Sequence, residues 1–145
     1  AIPQESHKLQ AIVAYIEWLS KDVPPGSRMA WRGIPSVPST KPPDPVNGAK
    51  VFTSRCAFCH GGDGQGTMAA PPVWGEHSYS IGADMARVSV AASFIKSNMP
   101  RTRGWALSDQ DAYDVAAYIN SQPRPDFAGK SGDWPKGEKP ANAAY

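Results

Sequence analysis

The chain has 145 residues, a formal net charge of +2, 15 prolines and 13 glycines. This length fits one compact domain with an appended arm, and the scattered lysines and arginines form no basic block of the kind that binds nucleic acid. No stretch approaches the ~18 consecutive apolar residues of a membrane-spanning helix, and the sequence as given contains no signal peptide.

The first 43 residues are predicted to form an N-terminal helix and a proline-rich linker. Apolar residues recur at helical spacing between residues 5 and 21, and Val23-Pro24-Pro25-Gly26 ends the pattern. Four prolines between residues 27 and 43 predict an extended connection with little regular structure. Met29 lies in this linker, and its thioether either packs on the surface or ligates a metal.

The sequence Cys56-Ala57-Phe58-Cys59-His60 is a C-x-x-C-H motif. Asp44 and Pro45 predict the start of a helix that leads to it. At this spacing the two sulfurs lie on one side of the chain and can add to the two vinyl groups of a haem, while His60 reaches the iron. The motif therefore predicts one covalently bound haem c.

Zinc and dithiol chemistry are the alternatives for these two cysteines. A zinc site needs four ligands, and the other histidines, His7 and His77, stand at no recognisable spacing from the motif. A thioredoxin-type C-x-x-C is expected within a βαβ pattern, whereas proline- and glycine-rich segments surround this one. Both alternatives are less favoured than haem.

The segment after the motif is predicted to pass the histidine side of the haem. A glycine-rich loop at residues 61–66 leads to Pro71-Pro72-Val73-Trp74-Gly75. We expect a carbonyl of Pro71 or Pro72 to accept the second ring N–H of His60. The polar tips of Trp74 and Tyr79 either reach a haem propionate or belong to ordinary core packing.

Residues 84–98 are predicted to form a helix that Pro100 ends, which places Met99 on an extended turn facing inward. Met99 is therefore the expected distal iron ligand opposite His60, with Met29 or an open iron position as the alternatives. Met68, on a loop, and Met85, on a helix stripe, are interpreted as apolar filler.

A last helix is predicted from Ser108, its N-cap, with Asp111 at the capping-box position. Its small residues allow a close crossing over Gly48 and packing against Phe52. We expect the haem to lie below this crossing. Residues 44–125 are thus predicted to be the haem domain, and residues 126–145 an extended C-terminal arm that is ordered on the domain without an element of its own.

These motifs together resemble the small class I cytochrome c fold, which is all-α. The sequences 71–75, 79–85, 94–100 and 108–125 are similar to the C-terminal haem domain of bacterial thiosulfate dehydrogenases, and residues 11–19 are similar to the last helix of that family's preceding haem domain. The resemblance implies dihaem enzymes that oxidise substrate at an N-terminal haem with histidine and cysteine ligands. This chain has neither a second C-x-x-C-H nor a further cysteine. Some family members carry lysine immediately before the ligand methionine, but this chain has Asn98, so stable ligation by His60 and Met99 is expected.

The expected function is that of a periplasmic, bacterial, His/Met-ligated monohaem cytochrome that carries single electrons between redox proteins such as cytochromes, a donor enzyme or a terminal oxidase. The alternative is the electron-exit part of a dihaem thiosulfate dehydrogenase with its catalytic haem upstream. No catalytic residue is assigned to this chain. Electrons are expected to pass at the edge near Cys56 and Cys59. Four arginines either form a basic rim for an acidic partner or are scattered solvated charge: Arg55, Arg87, Arg101 and Arg103.

Overall fold

The computed structural model describes residues 3, 6–27 and 33–145. Across these residues it contains helices and turns, with no β-strand. The chain divides into two compact units, Ala1–Gly33 and Ile34–Tyr145. No helix among the described residues is long and apolar enough to cross a membrane.

The first unit contains helix α1, His7–Leu19. The side chain of Ser6 caps it by accepting a hydrogen bond from the Leu9 N–H at 3.2 Å, which satisfies one of the free amides of the first turn. Tyr15 and Trp18 stack with their ring centroids 5.9 Å apart. No residue of α1 is buried. The predicted helix is confirmed, and Met29 lies outside the described residues.

The second unit is built on two helices that cross closely: α2, Pro45–Arg55, and, near the end of the domain, Asp109–Asn120. Between them lie α3, Ala57–His60, and α4, Val88–Asn98, so the helix Asp109–Asn120 is α5. Asp44 and Ser108 cap α2 and α5 with their side chains, as the sequence predicts. These bounds confirm an all-α fold.

The crossing of α2 and α5 depends on Gly48. A Cβ atom at this position would lie 2.0 Å from the backbone oxygen of Asp114 and 2.8 Å from the Cβ of Tyr118. Only glycine therefore allows the two backbones to approach so closely. Beside it, Phe52 is 1% exposed and packs against Tyr118, with ring centroids 5.8 Å apart. The predicted close crossing is confirmed.

A buried carboxylate ties the start of α2 to α5. Asp114 is 2% exposed. It accepts hydrogen bonds from the Asp44 N–H at 2.8 Å, from Asn47 Nδ2 at 2.8 Å and from Gln110 Nε2 at 2.7 Å. Burial raises the pKa of Asp114, but these three donors outweigh that effect and leave its pKa below the ordinary value.

The segment predicted as one helix at residues 84–98 is divided. A short 3₁₀ helix, Asp84–Ala86, is followed by Arg87 in extended conformation, and α4 begins at Val88. Arg87 pairs with Asp84, and Ala86 is buried. The apolar periodicity continues through both pieces, so it gave no sign of the break.

The linker enters the core before its predicted end. Val37 is 4% exposed; its N–H donates to Ser93 Oγ at 3.1 Å, and its carbonyl accepts from Tyr113 Oη at 2.8 Å. Residues 34–43 therefore belong to the same unit as α2 to α5, whereas the sequence predicted a boundary between residues 43 and 44. A single valine in a proline-rich segment carries no periodicity that would reveal its burial.

The C-terminal arm contains a second 3₁₀ helix, Ala128–Gly132, where the sequence predicted no element. Trp134 and Tyr145 pack with ring centroids 5.3 Å apart. The side chain of Asn142 donates to Ser89 Oγ on α4 at 2.9 Å. These contacts order the arm on the second unit.

Candidate haem site

The two cysteines lie where α2 gives way to α3. Cys56 ends α2 with φ of −117° and ψ of −37°, and the N–H groups of Cys59 and His60 donate to its carbonyl at 3.0 and 2.9 Å. Cys56 packs against the core, whereas Cys59 is exposed. One helical turn thus presents both thiols and the imidazole together.

The environment of Cys56 favours a neutral thiol. Burial first, and the neighbouring Cys59 second, raise the pKa of Cys56 to about 11. Among the described residues, no group of three or more His, Cys, Asp or Glu side chains is placed to hold a metal ion. A thioether bond to a porphyrin carries no charge and suits the same position.

His60 is oriented by a backbone carbonyl. Its Nδ1 lies 2.7 Å from the carbonyl oxygen of Pro71. Because a carbonyl can only accept, Nδ1 carries the proton and Nε2 keeps its lone pair. Of the two carbonyls that the sequence left open, the structure selects that of Pro71. Pro72, the other candidate, makes no such bond and stays a predicted haem contact.

A tight loop brings Pro71 back to His60. The Gly66 N–H donates to the His60 carbonyl at 2.8 Å, and Gly66 has φ of +82°. A Cβ atom there would lie 2.7 Å from the Pro72 nitrogen, so glycine is required both by the conformation and by the close contact. The hydroxyl of Thr67 donates to the Cys59 carbonyl at 2.6 Å.

Trp74 belongs to the core. It is 8% exposed, and its ring centroid lies 4.8 Å from that of Phe52 and 5.7 Å from that of Tyr118. The indole also covers Gly64, where a Cβ atom would come within 2.2 Å of the ring. The packing role is present in the structure, and a contact with a propionate stays a prediction.

Tyr79 directs its hydroxyl to α5, donating to Asn120 Oδ1 at 2.9 Å, which uses its one proton. The guanidinium of Arg124 lies over the same ring, 4.3 Å from the centroid, and Nη2 donates to the Ile119 carbonyl at 2.6 Å. Burial raises the pKa of Tyr79, with Arg124 opposing the shift. A propionate contact of Tyr79 stays a prediction. Arg124 was not predicted as a site residue, because its partner Tyr79 lies 45 positions earlier in the chain.

Met99 follows directly after α4. It is extended, with φ of −118° and ψ of 144°, and its N–H donates to the Ile95 carbonyl at 2.8 Å. The side chain is half-buried and packs against the same core cluster as Cys56. The predicted inward-facing turn is therefore present.

The other described methionines differ from each other. Met85 packs against the core, as predicted for a filler residue. Met68 was also predicted to be filler, and this is wrong, because its side chain is completely exposed. Phe58, on α3, is 94% exposed. Phe58, which precedes Cys59 in the sequence, and Met68, which follows it, thus both project into solvent.

The cysteines, His60 and Met99 form a donor set that fits a haem c: two thiols within one turn, one imidazole with a free Nε2, and one thioether. The core cluster against which Cys56 and Met99 both pack is apolar and includes the aromatic residues Phe52 and Trp74. Such a surface matches the apolar face of a porphyrin.

Comparison with known proteins gives relatives for both the whole chain and the haem domain. The family model described as cytochrome c oxidase, cbb3-type, subunit III matches residues 43–119. A thiosulfate dehydrogenase of Psychrobacter arcticus is 43% identical over 146 residues, covering 97% of this chain and 45% of that protein. Cytochrome c6 of Parathermosynechococcus lividus is 36% identical over 87 residues, covering 59% of this chain and 99% of that protein.

A solved structure agrees with these relatives. The thiosulfate dehydrogenase (TsdBA) of Marichromatium purpuratum matches with a TM-score of 0.76 and 37% sequence identity, over 97% of this chain and 33% of that one. The chain thus spans less than half the length of the thiosulfate dehydrogenases that it matches. Since the family model matches more than half of the chain, and the cytochrome c6 relative is covered almost completely, the chain belongs to the cytochrome c family and is an electron-transfer domain with covalently bound haem c.

Proposed function

We propose that this chain carries single electrons between redox proteins of the bacterial periplasm, with its haem joined to Cys56 and Cys59 and its iron held by His60 and Met99. The observation that carries the proposal is the 2.7 Å contact between His60 Nδ1 and the Pro71 carbonyl. This hydrogen bond fixes the tautomer in which Nε2 is available to the iron. It also raises the basicity of the imidazole, which makes Nε2 a stronger ligand. When bound, the haem supplies a one-electron couple between ferric and ferrous iron.

The residues of the chain bind and orient this group. Cys56 is held against the core and Cys59 is exposed, so these two residues would hold the group between the core and the surface. Met99 would supply the second protein ligand to the iron, since it lies at a helix end and packs on the same core cluster as Cys56. A neutral thioether favours the ferrous state more than a second nitrogen donor does, and so raises the potential.

Electrons are proposed to enter and leave beside Cys59. Phe58 and Met68 are the exposed apolar side chains in this part of the sequence, and Thr67 anchors the Met68 segment to the Cys59 carbonyl. A small apolar contact of this kind suits transient redox encounters, which use small interfaces. Partners of this surface are other redox proteins. Because haem c is attached outside the cytoplasm, the periplasm is the proposed compartment.

Replacing the proposed distal ligand tests the site. Met99→Ala is expected to abolish the weak far-red absorption that sulfur-to-iron bonding gives the ferric protein, and to lower the midpoint potential. Met68→Ala is the matched control, because its side chain is fully exposed, and it should leave both unchanged. If Met29→Ala abolishes the band and Met99→Ala does not, the assignment of Met99 is wrong.

A second candidate function is the electron-exit part of a dihaem thiosulfate dehydrogenase. Two observations favour it. Relatives of that name match between 83% and 97% of this chain while being about twice as long, and α1 exposes Ile12, Trp18 and other large apolar side chains. Haem staining of the native polypeptide in extracts of the source cells separates the two. A band near the mass of this chain plus one haem supports a free carrier, and a band about twice as heavy supports the dihaem enzyme.

A further inference from the structure

The loop after Met99, residues 100–107, is held to α4 by few contacts. Residues 101–106 are all exposed. The Arg103 N–H donates to the Pro100 carbonyl at 2.7 Å, which closes a turn within the loop. The Trp105 N–H donates to the Lys96 carbonyl, also at 2.7 Å. The backbone of Lys96 is thus one of the points that bring the loop back to the helix that precedes it.

The side chain of Lys96 makes the second connection. Its Nζ donates to the Leu107 carbonyl at 2.5 Å and pairs with Asp109 Oδ1 at 2.8 Å. Leu107 is a buried core residue, and Asp109 is the first residue of α5. The lysine side chain is only 13% exposed. One ammonium group therefore links the last turn of α4 to the far end of the loop and to the start of α5.

We propose that Lys96 is a positioning residue for Met99. This inference rests on the proposed function, in which Met99 is the distal iron ligand. Met99 directly precedes the loop, and Lys96 lies about one helical turn before Met99. The Lys96 contacts therefore hold both ends of the segment that begins with Met99 and ends at Leu107. A metal ligand must be held within a few tenths of an ångström by its supporting contacts. Loss of the ammonium leaves the Leu107 carbonyl and Asp109 without this donor and frees the end of the loop.

The chain provides a matched control for this lysine. Lys130 pairs with Asp126 Oδ2 at 2.7 Å, but its side chain is 45% exposed and that of Asp126 is 65% exposed. The pair lies in the C-terminal 3₁₀ region, away from the loop in sequence. Lys130→Met removes the same charge as Lys96→Met, and the expected contribution of such an exposed pair is small.

The test measures imidazole binding to the ferric haem protein, because imidazole competes with Met99 only when the methionine leaves the iron. The apparent affinity of such a competitor is proportional to the fraction of molecules in the open form. We expect Lys96→Met to raise the imidazole affinity by about tenfold or more, and Lys96→Arg to restore much of the original value, since a guanidinium can donate to both acceptors. Lys130→Met should leave the affinity unchanged. The titration is done at a pH well above the pKa of imidazole, where the ligand is neutral, so the change of net charge does not itself alter its binding.

A second readout separates positioning from overall stability. On heating, the far-red sulfur-to-iron band of Lys96→Met should disappear well before helical circular dichroism is lost, whereas in Lys130→Met the two losses should keep the separation of the unaltered protein. Equal shifts of both transitions, or an unchanged imidazole affinity, would falsify the positioning role. If Lys96→Met does not fold, Asp109→Asn serves instead, because it removes the ion pair and leaves the Leu107 contact; it should raise the affinity less, and no rise would overturn the inference.

Failure of the proposed function gives a different pattern. A protein whose band survives Met99→Ala has another ligand, whatever the lysine variants do. If Met99→Ala loses the band but Lys96→Met leaves the imidazole affinity unchanged, the proposed iron ligands stand and only the positioning role of Lys96 is wrong.

Discussion

At the α2–α5 crossing, backbone lies against backbone, because the space beside Gly48 is filled by the Asp114 carbonyl. Phe52 of α2 packs against Tyr118 of α5, and Trp74 contacts both rings. In the loop at residues 100–107, six consecutive residues are exposed, and polar contacts of Lys96 and Trp105 hold the chain. The crossing therefore depends on close packing and on the buried carboxylate of Asp114, whereas the loop depends on a few hydrogen bonds at the surface. A change of volume or of hydrogen bonding should therefore cost more stability at the crossing than in the loop.

Gly48→Ala is the change expected to have the largest effect. The added Cβ would meet backbone atoms of Asp114 at 2.0 and 2.5 Å, and backbone cannot yield as a side-chain tip can. We expect the free energy of unfolding, measured by urea titration of the haem protein, to fall by about 3 kcal/mol. Gly62→Ala is the control, since nothing lies within 4 Å of a Cβ there, and it should cost less than about 0.5 kcal/mol. Similar costs at both sites would show that the crossing adjusts more readily than its geometry indicates.

Asp114→Asn should have the next largest effect, because it removes the charge that three donors surround at the crossing. We expect a loss of about 2 kcal/mol in urea unfolding at pH 7, in the range for hydrogen bonds to a charged group. Asp63→Asn is the control, because Asp63 is an exposed loop residue, and it should lower the free energy of unfolding much less.

The same carboxylate predicts a pH dependence. The pKa of Asp114 lies below its ordinary value of 3.8 in the folded chain, so the unfolded chain takes up the proton first. Its contribution to stability is complete above pH 3.8 and is lost as the pH falls through the lower, folded pKa. The difference in unfolding free energy between the unaltered protein and Asp114→Asn should therefore shrink below pH 3.8. A difference that stays constant down to pH 2 would rule out this carboxylate as the source.

In the loop, Gly104→Ala should have a smaller effect on unfolding. A Cβ atom at Gly104 would lie 2.4 Å from the Ser97 carbonyl oxygen, but the exposed loop can move, so we expect a cost of about 1 kcal/mol. The neighbouring Trp105→Gly is the control: Trp105 has φ of 67° and is 56% exposed, and glycine accepts that conformation while keeping the N–H bond to Lys96. It should change unfolding by less than about 0.5 kcal/mol. A larger loss for Trp105→Gly than for Gly104→Ala would show that side-chain packing, not backbone, holds the loop.

The elements that sequence reasoning predicted well are those with local causes. Asp44 and Ser108 cap their helices because a side-chain oxygen needs only the amides two or three residues ahead. Pro100 ends α4 because it restricts the residue before it. The close crossing at Gly48 was predicted because Gly48 and Phe52 lie one turn apart on the same face of α2, and a glycine beside a large apolar residue favours close approach of a second helix. Each of these depends on a few adjacent residues.

Most of the differences arise where contacts between distant residues decide the structure. The break at Arg87 is the exception: it goes with an ion pair to Asp84, three positions earlier, and with the burial of Ala86, while the apolar pattern continues through it. Val37 is buried through hydrogen bonds to Ser93 and Tyr113, 56 and 76 positions away. Met68 was predicted to be filler from its residue type, but whether a side chain on a loop faces inward depends on how the loop folds.

The sequence by itself determined the all-α class, the helix ends at Asp44, Ser108 and Pro100, and the haem attachment motif, because capping, proline geometry and the C-x-x-C-H spacing act within a few residues. Only the tertiary structure decided that the Pro71 carbonyl orients His60, that Val37 belongs to the core, and that Lys96 connects α4 to α5. These contacts join residues between 11 and 76 positions apart. Such pairs become neighbours only when the chain has packed around Phe52 and Trp74, and no local pattern encodes which polar group will meet which.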